Sequence, residues 1–102
     1  MADRSLGPIL HIGAYANMRE VYLRNNNPEL YKMLKESGEL ENHLRAFQTH
    51  HALLAEQMHQ KLAEERGVTH QLMRMDYIEW VAQTVEIQEE VREYMVKLIN
   101  NS

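Results

Sequence analysis

Apolar residues recur at helical spacing over two long stretches, and that recurrence constrains this chain more than anything else in it. Between residues 40 and 62, Leu40, Leu44, Phe47, His51, Leu54, Met58 and Leu62 follow one another at steps of 4, 3, 4, 3, 4 and 4. Between 80 and 98, Trp80, Thr84, Ile87, Val91, Tyr94 and Leu98 step 4, 3, 4, 3 and 4. Such spacing places each set on one side of an α-helix and nearly makes a heptad seam. A second stripe, Ile78, Val81, Val85, Met95 and Ile99, widens the apolar side of the last helix, and a side this wide packs against more than one neighbour.

Punctuation divides the rest of the chain. A first helix is predicted from about Gly13 to Arg24, with Tyr15, Met18, Val21 and Tyr22 inward and Arg19 and Glu20 outward. Asn25-Asn26-Asn27 ends it, because short amides compete for backbone hydrogen bonds. Asn27 caps a second helix, Pro28 suits its first position, and Glu29 favours the positive end of its dipole. Leu30, Tyr31, Met33 and Leu34 form its apolar side, and Gly38 stops it in the left-handed conformation. The third helix runs from about Glu39 to Arg66, spans about 42 Å, and ends at Gly67. Thr69 caps one short turn over His70-Gln71-Leu72-Met73. Asp76 with Glu79 three residues on forms a capping box for a last helix from about Tyr77 to Ile99.

The expected fold is all-α: a small helical bundle built on a long antiparallel hairpin, with two short N-terminal helices covering its open side. Residues 1–11 are expected to be a flexible N-terminus and 12–102 a single helical domain. The two seams can satisfy each other within one chain or pair between chains as a homodimer.

Composition excludes several functions. With no cysteine there is no disulfide framework, cysteine zinc site or thiol catalysis. No signal peptide and no membrane-length apolar run stand out, so a cytoplasmic protein is expected. The six histidines show neither an i, i+4 pair nor an HExxH motif. His43 and His50 share a face but lie roughly 10 Å apart, so no metal is expected, and His51 reads as a hydrogen-bonded seam residue. There is no nucleophile elbow, no phosphate-cradling Gly-rich loop and no pair of carboxylates marked by spacing, and a helical hairpin this small leaves little room for a pocket. The expectation is a protein that is not an enzyme and carries no cofactor. Met33, Met58 and Met95 read as core, Met73 and Met75 as the more exposed methionines.

The net charge of −4 is uneven. Residues 1–27 carry three bases and two acids, residues 28–66 five and seven, and residues 67–102 three and six. On the last helix Glu79, Glu86, Glu90 and Glu93 share a narrow arc, with Glu89 beside them, over roughly 20 Å. This is either a solvated outer face, with Glu93 paired to Lys97, or an acidic ridge that docks on a basic partner or imitates nucleic-acid phosphates. Arg19, Arg24, Lys32 and Lys35 are the candidates for nucleic-acid contact around the Asn25–Asn27 turn, although Glu29 and Glu36 on the second helix oppose docking in a DNA groove.

Three strings resemble one family. They are Tyr22-Leu23-Arg24 followed by Pro28-Glu29-Leu30-Tyr31; Leu34 with Ser37-Gly38-Glu39-Leu40 and His43-Leu44; and Glu65, Gly67-Val68-Thr69, Gln71-Leu72, Asp76 and Trp80-Val81. In order and spacing they resemble the TnpV family of small transposon-encoded proteins, over about residues 20–99. Met73 and Met75, and Ala82-Gln83-Thr84 after Trp80-Val81, depart from its pattern. The resemblance implies residence on a conjugative transposon, prophage or similar element of gut-type Gram-positive bacteria, and it assigns no site residues. Three functions follow as expectations. The first is an accessory protein that binds a protein partner, such as a nucleic-acid-processing enzyme. The second is an anti-CRISPR-type inhibitor of a host nuclease. The third is a DNA-binding accessory to excision or transcription.

Overall fold

The structure, a computed structural model, describes residues 12–101. The expected N-terminal segment 1–11 lies outside the described residues. The described chain is all-α, with five helices: α1 (Ala14–Asn26), α2 (Pro28–Ser37), α3 (Leu40–Glu65), α4 (His70–Met75) and α5 (Tyr77–Asn100).

Helix ends follow the chemistry of their caps. Asn27 closes α1 through its own N–H, which donates to the Leu23 carbonyl, and opens α2 by accepting from the Leu30 N–H at 3.3 Å. The helix runs two residues past Arg24 because the Asn26 amide donates to the Tyr22 carbonyl one turn back, so it does not compete with the backbone. Both α2 and α3 end in the same motif. Gly38 and Gly67 sit at φ +80° and +70°, where a side chain would be strained. The next residue then reaches back five positions, with Glu39 N–H to the Leu34 carbonyl at 2.9 Å and Val68 N–H to Ala63 at 2.8 Å. Thr69 Oγ1 accepts from Leu72 N–H and starts α4, which extends to Met75, two residues beyond the expected turn. At α5 only half of the expected capping box forms. Asp76 Oδ1 accepts from Glu79 N–H, while the Asp76 N–H is already spent on the Leu72 carbonyl.

The described chain divides into two compact units. One runs from residue 12 to His51 and is joined by Ile99 to residue 101; the other is Ala52–Leu98. In the first, α1 packs on α2. Ala16, Leu40 and Leu44 form a buried cluster with Ile12, Tyr31 and Leu34 against it, and Leu23 is also fully buried. Of the residues expected inward on α1, Tyr15, Met18 and Tyr22 are half-buried and Val21 is not covered. Ala16 and Leu23 are its buried residues, Val21 faces solvent, and Arg19 and Glu20 are half-buried. Small Ala16 permits close approach, and Arg19 and Glu20 are drawn in by partners elsewhere in the unit, described below.

In the second unit Ala55, Val68, Ile87, Val91 and Met95 are buried. The second apolar stripe of α5 splits: Met95 and Ile99 are buried, whereas Ile78 is 79% exposed and Val85 51%. Met58 is half-buried, Met73 half-buried and Met75 exposed, and Met33, expected in the core, is 66% exposed. No helix among the described residues is long and apolar enough to cross a membrane.

Candidate interaction surface

The five glutamates of the proposed ridge lie on α5, whose 24 residues start at the Asp76 cap, and all five are exposed. The structure gives them unequal surroundings. Glu90 takes both ends of the Arg66 guanidinium, at 2.7 Å each, in a bidentate pair. Those hydrogen bonds hold the Glu90 carboxyl below its ordinary range and push the Arg66 guanidinium higher still. Glu86 lies 4.0 Å from the same guanidinium. Glu89 pairs with Arg92 at 3.0 Å, and Glu79 accepts from the Gln83 amide at 2.7 Å. The expected Glu93–Lys97 ion pair does not form among the described residues; Lys97 stands at the exposed end of the helix and makes no close approach to the carboxylate. Glu79, Glu86 and Glu93 thus carry most of the ridge's uncompensated charge.

Arg66 is the residue of this surface that periodicity misses. It stands just past the end of α3, and its only sequence signal is its place beside Gly67, which sets where the chain turns.

The basic candidates are largely used within their own unit. Arg19 Nε–H donates to His43 Nε2 at 3.3 Å, and its guanidinium lies over the Phe47 ring at 5.2 Å and the Tyr22 ring at 5.7 Å. Arg24 pairs with Glu20 at 3.0 Å and covers the Tyr31 ring at 5.2 Å, and Glu20 also accepts from the Tyr31 hydroxyl at 3.1 Å. Lys35 lies 5.9 Å from the Tyr31 ring centre. Lys32 is exposed. Three of the four, Arg19, Arg24 and Lys35, lie against aromatic rings, and Lys32 alone stands open.

His43 accepts from Arg19, so its Nε2 is unprotonated. Burial first, and the Arg19 charge second, hold its pKa below the ordinary value of 6.5. His51 is half-buried, as a seam residue should be. Its Nδ1 lies 2.9 Å from the Phe47 carbonyl and its ring stacks on Phe47 at 3.8 Å.

The second unit also holds an open groove of about 530 Å³, where little room was expected. Ala63, Val68 and Trp80 give it apolar walls; His59, Gln60, Glu64, Thr69, His70 and Thr84 give it a polar lining. Its lining comes from the end of α3, from Val68 and Thr69 of the turn that follows, from the start of α4 and from the first turns of α5. Among the described residues no three His, Asp or Glu side chains are grouped to hold a cation.

Neither the curated proteins nor the solved structures include a match to this chain. The signature of a family described as transposon-encoded protein TnpV matches residues 6–99, nearly the whole length, and the chain belongs to that family.

Proposed function

We propose that this protein is a non-enzymatic accessory factor of a mobile genetic element, and that it acts by binding a protein with a basic surface. The observation that carries the reading is the state of α5: a row of exposed glutamates of which Glu79 and Glu93 pair with no cation among the described residues and Glu86 only reaches the edge of Arg66, on a helix fixed at its cap by Asp76 and along its length by Arg66. Fixed charge of one sign on a rigid element steers and orients an oppositely charged partner. The transposon-encoded family supports the context. The internal use of Arg19, Arg24 and Lys35 favours a protein partner over DNA.

The test is capture on tagged protein from a native host lysate, with and without nuclease treatment, beside a variant in which Glu79, Glu86 and Glu93 are all Gln. Glu90 is spared because its loss would free Arg66. A basic partner held after nuclease treatment by the natural protein and lost by the triple variant is the expected result. If that partner is a nucleic-acid-cleaving effector, blocked cleavage on adding the protein would narrow the role to an inhibitor of the anti-CRISPR kind. Equal capture by both proteins would sink the acidic-surface reading. Recovery of element DNA alone, lost with nuclease and shifted by the protein at low salt, would move the function to excision or transcription.

A further inference from the structure

The groove beside Trp80 lies wholly within the second unit, and its lining is charged with one sign. Glu64 supplies a carboxylate, and neither lysine nor arginine lines the walls. Glu64 is exposed and has no cation within ion-pair distance among the described residues. Lys61, one turn back, does not line the groove, and Arg66, two residues on, is held by Glu90. The backbone adds to the imbalance. Glu64 stands in the last turn of α3 beside Glu65, with no base in that turn, at the end of the helix where the peptide dipoles place their negative pole. The chain therefore leaves negative charge in this groove without a counter-charge of its own.

The rest of the lining suits a flat cation. Trp80 offers an indole, the aromatic ring that attracts cations most strongly. Tyr77, which does not line the groove, stacks on that ring with 5.9 Å between centres and 24° between planes, and steadies it. Gln60, Thr84 and the His59 imidazole bring acceptors for further N–H groups, and Ala63 and Val68 give apolar surface to a methylene stem. We propose that the groove takes an arginine side chain presented by the partner protein, its guanidinium flat on Trp80 and forked onto the Glu64 carboxylate. A guanidinium carries five N–H donors in one plane and stacks on aromatic faces, whereas a lysine ammonium carries three on a compact, strongly hydrated head. At about 530 Å³ the groove also admits the backbone that carries the side chain. The proposal rests on the reading that the partner is basic, and it names the residue that partner offers at a place apart from the glutamates of α5.

Trp80 is the one tryptophan of the chain, so its fluorescence reports on the groove alone. The probe is the capped peptide acetyl-Gly-Arg-Gly-amide, titrated into the millimolar range at constant ionic strength, beside the same peptide with lysine or with citrulline, the neutral isostere of arginine. The arginine peptide should give a saturable change in emission, the lysine peptide should bind several-fold more weakly, and the citrulline peptide should give no saturable change. E64Q should weaken the arginine peptide about fivefold, the size of an exposed charge contact, and leave the helical circular dichroism as it was. With Glu79, Glu86 and Glu93 all Gln, the peptide should bind nearly as it does to the natural protein, so failure of the groove and failure of the acidic row are separate results. No saturable change with arginine, equal binding of the lysine or citrulline peptide, an affinity untouched by E64Q, or one lost as far in the triple variant as in E64Q would each overturn the proposal.

Discussion

Gln48 caps a helix to which it does not belong. Gly13, before α1, has no side chain to offer, and the Ala16 N–H is taken instead by Gln48 Oε1 from α3, at 2.9 Å. The approach is close enough that a Cβ on Gly13 would meet the Gln48 side-chain carbon at 2.3 Å. G13A should therefore expel the amide and leave the first turn of α1 uncapped, at about 1–2 kcal/mol. A lower urea midpoint with an unchanged slope would show it. Arg19 and His43 set a second residue-scale expectation. The folded state holds His43 neutral, so as pH falls below 6.5 the unfolded chain binds that proton first. The stability is present above 6.5 and is lost as pH falls through the depressed folded value. Urea midpoints between pH 7.5 and 5 should decline, and H43Q, which cannot titrate, should flatten that decline. An unchanged slope in H43Q would count against the Arg19–His43 contact.

Among the elements, α5 owes its placement in the second unit to Arg66 as well as to Ile87, Val91 and Met95 in the core. Arg66 follows the last turn of α3, where the Schellman turn through Gly67 has already fixed the backbone. Its fork then binds Glu90, 24 residues further on. Exposed pairs contribute little to global stability, and this one is open to solvent. R66A should leave the thermal midpoint nearly unchanged. Its effect belongs to local opening: the Val68 amide, bonded to the Ala63 carbonyl, should exchange with deuterium several-fold faster. High salt should bring the natural protein toward the variant, because screening weakens the same ion pair.

For the whole molecule, charge is segregated rather than balanced. Arg19, Arg24 and Lys35 of the first unit lie over Tyr22, Tyr31 and Phe47, while Glu79, Glu86 and Glu93 of the second stand open along α5. A protein so arranged presents one sign of field to an approaching partner. Association with a basic partner should slow steeply as ionic strength rises from about 0.05 to 0.3 M, while dissociation changes less. Replacing Glu79, Glu86 and Glu93 by Gln should remove most of that salt dependence. Stopped-flow association rates check it; a salt-independent rate would place the contact on another surface.

Where most helices begin and end was determined, to within about two residues, by the sequence alone; the start of α1, capped by Gln48 of α3, is the exception. Asn27, Pro28, Gly38, Gly67, Thr69 and Asp76 act on backbone groups within a few positions of themselves, so their chemistry can be read in one dimension. The all-α class and the acidic row on α5 follow from periodicity in the same way. Only the tertiary structure decided which apolar positions are covered. It buries Ala16 rather than Val21 and turns Met33, Ile78 and Val85 out to solvent. It also decided which polar groups meet, joining Gln48 to Ala16 across 32 positions and Arg66 to Glu90 across 24, and opening a groove beside Trp80. Helical spacing tells which residues share a side of a helix. What stands opposite that side depends on how distant segments pack, and no local pattern carries that information.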